Sequence, residues 1–377
     1  MKRPIWLPNF LPIRCLGILV LAVLACTGRG ASVAESVLEY SGIQGQDGWR
    51  YGRFGTAGKP STYEDFGHYS GGRWQPTSSL NNPYMTQNGA HPGWSGTYAH
   101  HSAVRQYTIQ PGEEGLLSFS GTVEHVQTGG GDGTISRIYV NNMPVYSQHS
   151  KLTQYPYSRN AVVEADDIIS MEIAENGNPS YDRTAFTMTA EPVTDRILVA
   201  DSRTEFSSVQ DASPGGWQYG EYSSGTTFTT TGWSWTGSQW DGPESYQRLH
   251  ATGGHSGDAL GDAVRRWTSD VEGTVFVEGG LYDVQTGGGN GVIGRIYHNG
   301  SEIWSYTIPG DGGAPSSFSL VLDNVSYGDI FDFQIDANGD YGWDNTAFWA
   351  TFTQVPEPGG LLVVALLGVI ALRRPVR

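Results

Sequence analysis

The chain has 377 residues, 52 of them glycine, with 20 Tyr and 12 Trp but only 16% charged side chains and a net charge of −16. That is a two-domain length with the composition of a loop-rich, all-β extracellular protein, and helical patterning is nearly absent. So acidic a chain repels nucleic acid and anionic lipid, which argues against those partners, and suits either solubility or divalent cations.

Residues 1–34 read as a secretory signal. Lys2, Arg3 and Arg14 precede an apolar run from Cys15 to Ala25, and small residues end at Ala31-Ser32-Val33-Ala34, with cleavage expected after Ala34. A lipoprotein signal lipidated at Cys26 is the alternative, which Leu24 fits poorly. Both cysteines, Cys15 and Cys26, lie in this segment, so the exported part must be stable without disulfides. Removing both terminal segments leaves 15 basic against 37 acidic residues, which sharpens the acidity.

The body is a tandem duplication, with repeats at 35–192 and 193–353. Val126-Gln127-Thr128-Gly129-Gly130-Gly131-Asp132-Gly133 returns as Val284-Gln285-Thr286-Gly287-Gly288-Gly289-Asn290-Gly291. Gly48-Trp49-Arg50-Tyr51-Gly52 answers to Gly216-Trp217-Gln218-Tyr219-Gly220, Trp74 to Trp240, Ala103–Tyr107 to Ala263–Trp267, and Asp182–Phe186 to Asp344–Phe348. The offset drifts between these matches, which places the insertions between strands. Short strands punctuated by turn pairs, as at Pro111-Gly112 and Asn141-Asn142, predict two tandem jelly-roll-like β-sandwiches. The triple glycine supplies the φ > 0 conformations of a tight or bulged hairpin. The join Pro192–Arg196 is short, so the two sandwiches should be close neighbours.

The tail, 354–377, contains Pro356-Glu357-Pro358, fourteen uncharged and mostly apolar residues from Gly359 to Leu372, and Arg373-Arg374. As a helix the apolar stretch reaches about 21 Å, short of the roughly 30 Å hydrocarbon core, so it suits a transient membrane contact. Triplet, apolar stretch and terminal arginines in this order closely resemble the PEP-CTERM sorting signal of Gram-negative bacteria. The resemblance implies export, recognition by an exosortase-type processing enzyme, and release to the cell surface or an exopolysaccharide matrix.

Three sets of residues carry candidate chemistry. Trp233, Trp235 and Trp240 sit in a Thr-Gly-Ser-rich loop and are expected to be exposed rings on which a sugar stacks. Arg137 and Tyr139, with their counterparts Arg295 and Tyr297, are two apart on a strand; they either meet sugar hydroxyls and uronates or pair with a carboxylate at the sandwich edge. Asp336, Asn338, Asp340 and Asp344, with Asp182 in the first repeat, either ligate a structural Ca²⁺ or are turn residues. No catalytic residue is assigned, and no cofactor is certain. A lyase-like His/Tyr/Arg site drawing on His91, His100, His101, His250 or His255 requires a groove that gathers those types in one repeat only. The body also resembles, in general layout, bacterial carbohydrate-binding modules. The leading expectation is a non-catalytic, exported, glycan-binding protein. A structural or adhesive matrix protein and a sandwich-fold polysaccharide lyase or hydrolase are the alternatives.

Overall fold

The computed structural model describes residues 32–79, 82–93, 100–224, 227–259, 261–285, 288–310 and 316–356. The signal segment before residue 32 and the sorting tail from Glu357, with Pro358, Arg373 and Arg374, lie outside the described residues. Among those described, no helix is long and apolar enough to cross a membrane.

Each repeat folds as two antiparallel sheets packed face to face. In the first, the larger sheet runs Ala34–Glu35, Thr189–Pro192, Gly115–His125, Thr184–Phe186, Gly89–His91, Tyr84–Thr86, Arg73–Gln75 and His68–Ser70, with Gln154–Val163 also paired to Gly115–His125. The smaller runs Met143–Ser150, Thr134–Val140, Ile168–Glu175, Ser102–Thr108, Trp49–Phe54 and Tyr63–Asp65. The second repeat repeats the plan. Its larger sheet runs from Ser234–Trp235 through Gly253–His255, Thr346–Gln354 and Gly273–Asp283 to Ser316–Val325, and its smaller from Thr227–Thr229 through Ala263–Thr268 to Ser301–Ile308. The all-β, jelly-roll-like class expected from the short strands is the observed one.

A hairpin turn forms at Asn141-Asn142 as expected and again at Asn299, whereas the triple glycine joins Gly115–His125 to Thr134–Val140 of the other sheet and so makes a crossover, not the expected hairpin. Asn141 and Asn299 adopt φ of 57° and 50°, and each chain then reverses so that Val140 faces Met143 and His298 faces Ser301. Trp49 and Trp217 are buried, and each donates its indole N–H to a glutamate, Glu39 at 2.7 Å and Glu205 at 2.8 Å. Tyr51 stacks on Trp74 with ring centres 5.6 Å apart, and Tyr219 on Trp240 at 5.7 Å.

At the centre of each sandwich lies a buried arginine. Arg105 reaches from the smaller sheet to the carbonyls of Thr86 at 2.8 Å, Gln87 at 3.0 Å and Ser36. Arg265 does the same with Ser202 at 2.9 Å and His250 at 2.6 Å. Desolvation lowers each guanidinium to about 10, still charged at neutral pH, and the carbonyl oxygens compensate the charge. The rings of Tyr40, Trp49 and Tyr51 lie 5.3–5.8 Å from the Arg105 guanidinium.

The two sandwiches abut. Trp349, from strand Thr346–Gln354 of the second repeat, packs into the hydrophobic cluster of the first and is 4% exposed. Asn160 donates to Glu278 Oε2 at 2.7 Å, Arg196 approaches the same carboxylate at 3.6 Å, and Tyr282 donates to the Gly58 carbonyl at 2.8 Å. Because Trp349 carries a strand of the second repeat into the core of the first, Trp349→Ala should cost about 3–5 kcal/mol. It should also split a single cooperative calorimetric unfolding transition of the full chain into two.

Candidate functional site

At one end of the first sandwich a cleft of about 690 Å³ opens between two walls. Three short neighbouring strands supply one wall. The Arg73 guanidinium lies 3.8 Å from the centre of the Tyr84 ring, and Tyr84 stacks on His91 at 5.7 Å with an interplanar angle of 25°. His91 donates its Nδ1–H to the Pro92 carbonyl at 2.8 Å, and burial lowers its pKa, so it faces the cleft neutral. Asn82 completes this side.

The loops at the ends of Gly115–His125 and Thr184–Phe186 form the other wall: Val126 and Gln127 from one, Pro179, Ser180, Tyr181 and Arg183 from the other. Val126 N–H donates to the Arg183 carbonyl at 2.9 Å, and Arg183 N–H donates to Gln127 Oε1 at 3.2 Å. Tyr181 is held at φ 66° with 48% of its surface exposed, and its ring lies flat over Gly129, where any Cβ would overlap it.

The second repeat carries the same device. Trp343 occupies the position of Tyr181, at φ 67° and 54% exposed, with its indole over Gly288. Tyr246, at φ 67° and 60% exposed, stacks on Tyr341 at 5.9 Å and tilts over His255 at 6.0 Å. These rings were missed in the sequence. The signal available was the aromatic residue immediately ahead of the shared Asp-x-Thr-Ala-Phe string in both repeats.

The expected tryptophan platform is corrected. Trp233 and Trp240 are 8% and 6% exposed, and all three indoles belong to the second core or pack against it. Trp240 is consumed by its stack on Tyr219 and its bond to the Ser207 carbonyl at 2.9 Å, while Trp235 packs edge-on to Trp240 at 5.9 Å. Short strands carry the loop back over the sandwich, so the rings that looked stranded in polar sequence cover its core.

The Arg/Tyr pairs take the carboxylate reading. Arg137 and Tyr139 both donate to Glu172 Oε2 at 2.9 Å, Gly58 N–H donates to Glu172 Oε1 at 2.7 Å, and the group is buried beneath Tyr282 of the second repeat. Arg295 pairs with Asp336 and lies 3.6 Å from Glu302; Tyr297 meets Tyr222 edge-on at 5.8 Å. Neither pair belongs to the cleft.

The calcium candidates divide. Asp336 takes the Asn338 N–H at 2.8 Å and the Arg295 guanidinium, Asn338 donates to the Asn290 carbonyl at 3.0 Å, and Asp340 takes the Gly342 N–H at 3.0 Å, so these three close turns. Asp344 and Asp182 are fully buried instead, and desolvation raises them to about 7 and about 8. Among the described residues, no three His, Cys, Asp or Glu side chains form a metal-holding group.

The histidines do not gather. His100 pairs with Glu175, and His250 and His255 belong to the other repeat. His250 meets Asn345 Oδ1 at 3.2 Å and Thr252 Oγ1 at 3.1 Å, and burial lowers it to about 4.

A scan against protein-family models found no match, and a search of curated proteins found none. Matches among solved structures include the tandem CBM51 modules of a family 98 glycoside hydrolase from Streptococcus pneumoniae, at 10% identity over 67% of this chain and 83% of that one, with a TM-score of 0.22. The ANXUR2 extracellular domain from Arabidopsis thaliana matches at 10% identity over 72% and 88%, with a TM-score of 0.26. A protein of Sulfolobus Turreted Icosahedral Virus matches at 11% over 74% and 57%, also at 0.26. Likenesses this distant carry nothing about function, which rests on the site itself.

Unfolded, His250 titrates near 6.5, so between about pH 6.5 and 4 the unfolded chain binds a proton that the folded chain refuses. Its contribution to stability is therefore lost as pH falls through that window, by roughly 2–3 kcal/mol. Urea unfolding at about pH 7 and about pH 4.5 should show a smaller acid loss in His250→Gln than in the parent chain.

Proposed function

We propose that this chain is an exported, non-catalytic protein that binds extracellular glycan, uronate-bearing chains above all, through the loop end of each sandwich. The observation that carries the reading is the repeated, half-exposed aromatic ring at positive φ, Tyr181 and Trp343, seated over glycine in both halves. A bulky residue in left-handed backbone with its ring in water is costly locally, and such outliers cluster where a ligand is met. Arg73, Arg183, Asn82 and Gln127 around Tyr181 suit carboxylate and hydroxyl groups on a ring that stacks on tyrosine. Two such ends on one chain raise avidity for a polymer. The sorting tail supports delivery to the surface of a Gram-negative cell through an exosortase-type enzyme, with transient membrane contact.

A polysaccharide lyase is the second reading, favoured by one observation: Arg73, Tyr84, His91, Tyr181 and Arg183 converge in a single cleft of the first repeat.

Calorimetric titration of the full chain with oligouronates and neutral oligosaccharides should show binding to the former, with Trp343 fluorescence changing on saturation. Tyr181→Ala and Trp343→Ala should each weaken binding to long chains about tenfold, equivalent to about 1.4 kcal/mol. Affinity untouched by both substitutions would sink the binding reading. Ultraviolet absorbance from unsaturated uronate products, lost in His91→Ala, would replace it with the lyase.

A further inference from the structure

Beneath the glycine loop of the first repeat lies a group of carboxylates whose hydrogen bonding within the protein is incomplete. Asp182 is wholly buried, and neither of its oxygens has a hydrogen-bond partner. His125 Nε2 stands 3.8 Å from Asp182 Oδ1, but its N–H is directed to the Tyr181 carbonyl at 2.6 Å. Asp132, on the loop, uses Oδ2 to accept the Asn178 N–H at 3.1 Å and leaves Oδ1 without a partner. Glu175 pairs through Oε1 with His100, and its buried Oε2 has none. The fields of Asp132 and Glu175 add to desolvation in disfavouring charge on Asp182.

Gly131 brings the backbone into the same space. A Cβ there would lie 3.1 Å from Asp182 Oδ1 and collide with the Ser180 carbonyl, so the loop, that carbonyl and the buried carboxylate crowd around one point. Like-signed, desolvated oxygens so arranged are stable only if protonated or neutralised by a cation. Hard oxygen donors from two carboxylates and neighbouring carbonyls are the ligand chemistry of Ca²⁺, which does not need three side chains.

We propose that the first repeat binds one Ca²⁺ beneath its glycine loop, held by the carboxylates of Asp182 and Asp132 with backbone oxygens of the 129–133 and 178–181 segments. The cation tethers the loop that carries Tyr181 and Arg183 to the one that carries Gln127. The proposal stands independently of the glycan reading. It places the site in the first repeat, although four of the five sequence candidates lie in the second. Asn290 stands there in place of Asp132, and Asp336 is engaged by Arg295.

The test is calorimetric titration of chelator-stripped full chain with CaCl₂, beside thermal melts and without any glycan. One Ca²⁺ should bind per chain, and saturation about 100-fold above the dissociation constant should raise Tm by roughly 5–10 °C, reversibly with chelator. Asp132→Asn, at a partly buried loop position, and Asp182→Asn should abolish both effects, while Asp344→Asn leaves them intact. Should Asp182→Asn fail to fold, Asp132→Asn decides. The proposal is overturned by an absence of heat and melting shift with CaCl₂, by binding that survives in Asp132→Asn, or by binding lost in Asp344→Asn alone. It is equally overturned if Asp182→Asn is more stable than a calcium-indifferent parent, because Asp182 then sits protonated.

Discussion

A guanidinium in the middle of a β-sandwich is the constraint that the rest of each repeat must satisfy. Arg105 and Arg265 are 1% and 2% exposed, and their charge is met by backbone carbonyls of the opposite sheet and of the entering chain. A buried cation left without those acceptors would cost several kcal/mol, so segments as distant as Ser36 and Gln87 are held in place by one side chain. The flanking devices follow from this arrangement: the Tyr–Trp stacks of Tyr51 with Trp74 and Tyr219 with Trp240, and the indole-to-glutamate bonds, recur in both halves.

On that shared frame the two smaller sheets have diverged in charge. Gln106 donates to Ser170 at 3.1 Å in the first repeat, where Arg266 meets Asp332 at 2.6 and 2.8 Å in the second. Glu172 faces Arg137 in the first, where Gln334 faces Arg295 in the second. The exchange follows burial. Glu172 lies under the neighbouring sandwich, where its carboxylate is shared by Arg137, Tyr139 and the Gly58 amide, whereas Arg295 is more exposed and turns to Asp336 and Glu302, diagonal neighbours on its two flanking strands.

The loop end shows the opposite economy, because local rules are broken there in both repeats. Tyr181, Tyr246 and Trp343 adopt left-handed backbone, and glycines open the space beneath Tyr181 and Trp343. Asp182, the next residue after Tyr181, is buried with neither carboxylate oxygen hydrogen-bonded. Left-handed backbone at bulky aromatic residues and the unpartnered carboxylate of Asp182 fall at this same end, which is where binding chemistry is to be sought.

Local chemistry was legible in the sequence: the duplication, the all-β class, the short strands, and the reversal at Asn141-Asn142. Each depends on backbone preferences and alternation within a few residues, which a string displays directly. Exposure was not legible, because it depends on which surfaces meet. Trp233, Trp235 and Trp240 stand in polar sequence yet cover a core, and whether Arg137 and Tyr139 meet a ligand or a carboxylate is decided only where Glu172 and Tyr282, whose partner Gly58 is 224 residues away along the chain, close on them. For the same reason the calcium reading shifted from the acid-rich string at Asp336–Asp340 to Asp182. A carboxylate's need for a partner depends on burial and neighbours brought together only by folding, and Asp336 finds its own in Arg295.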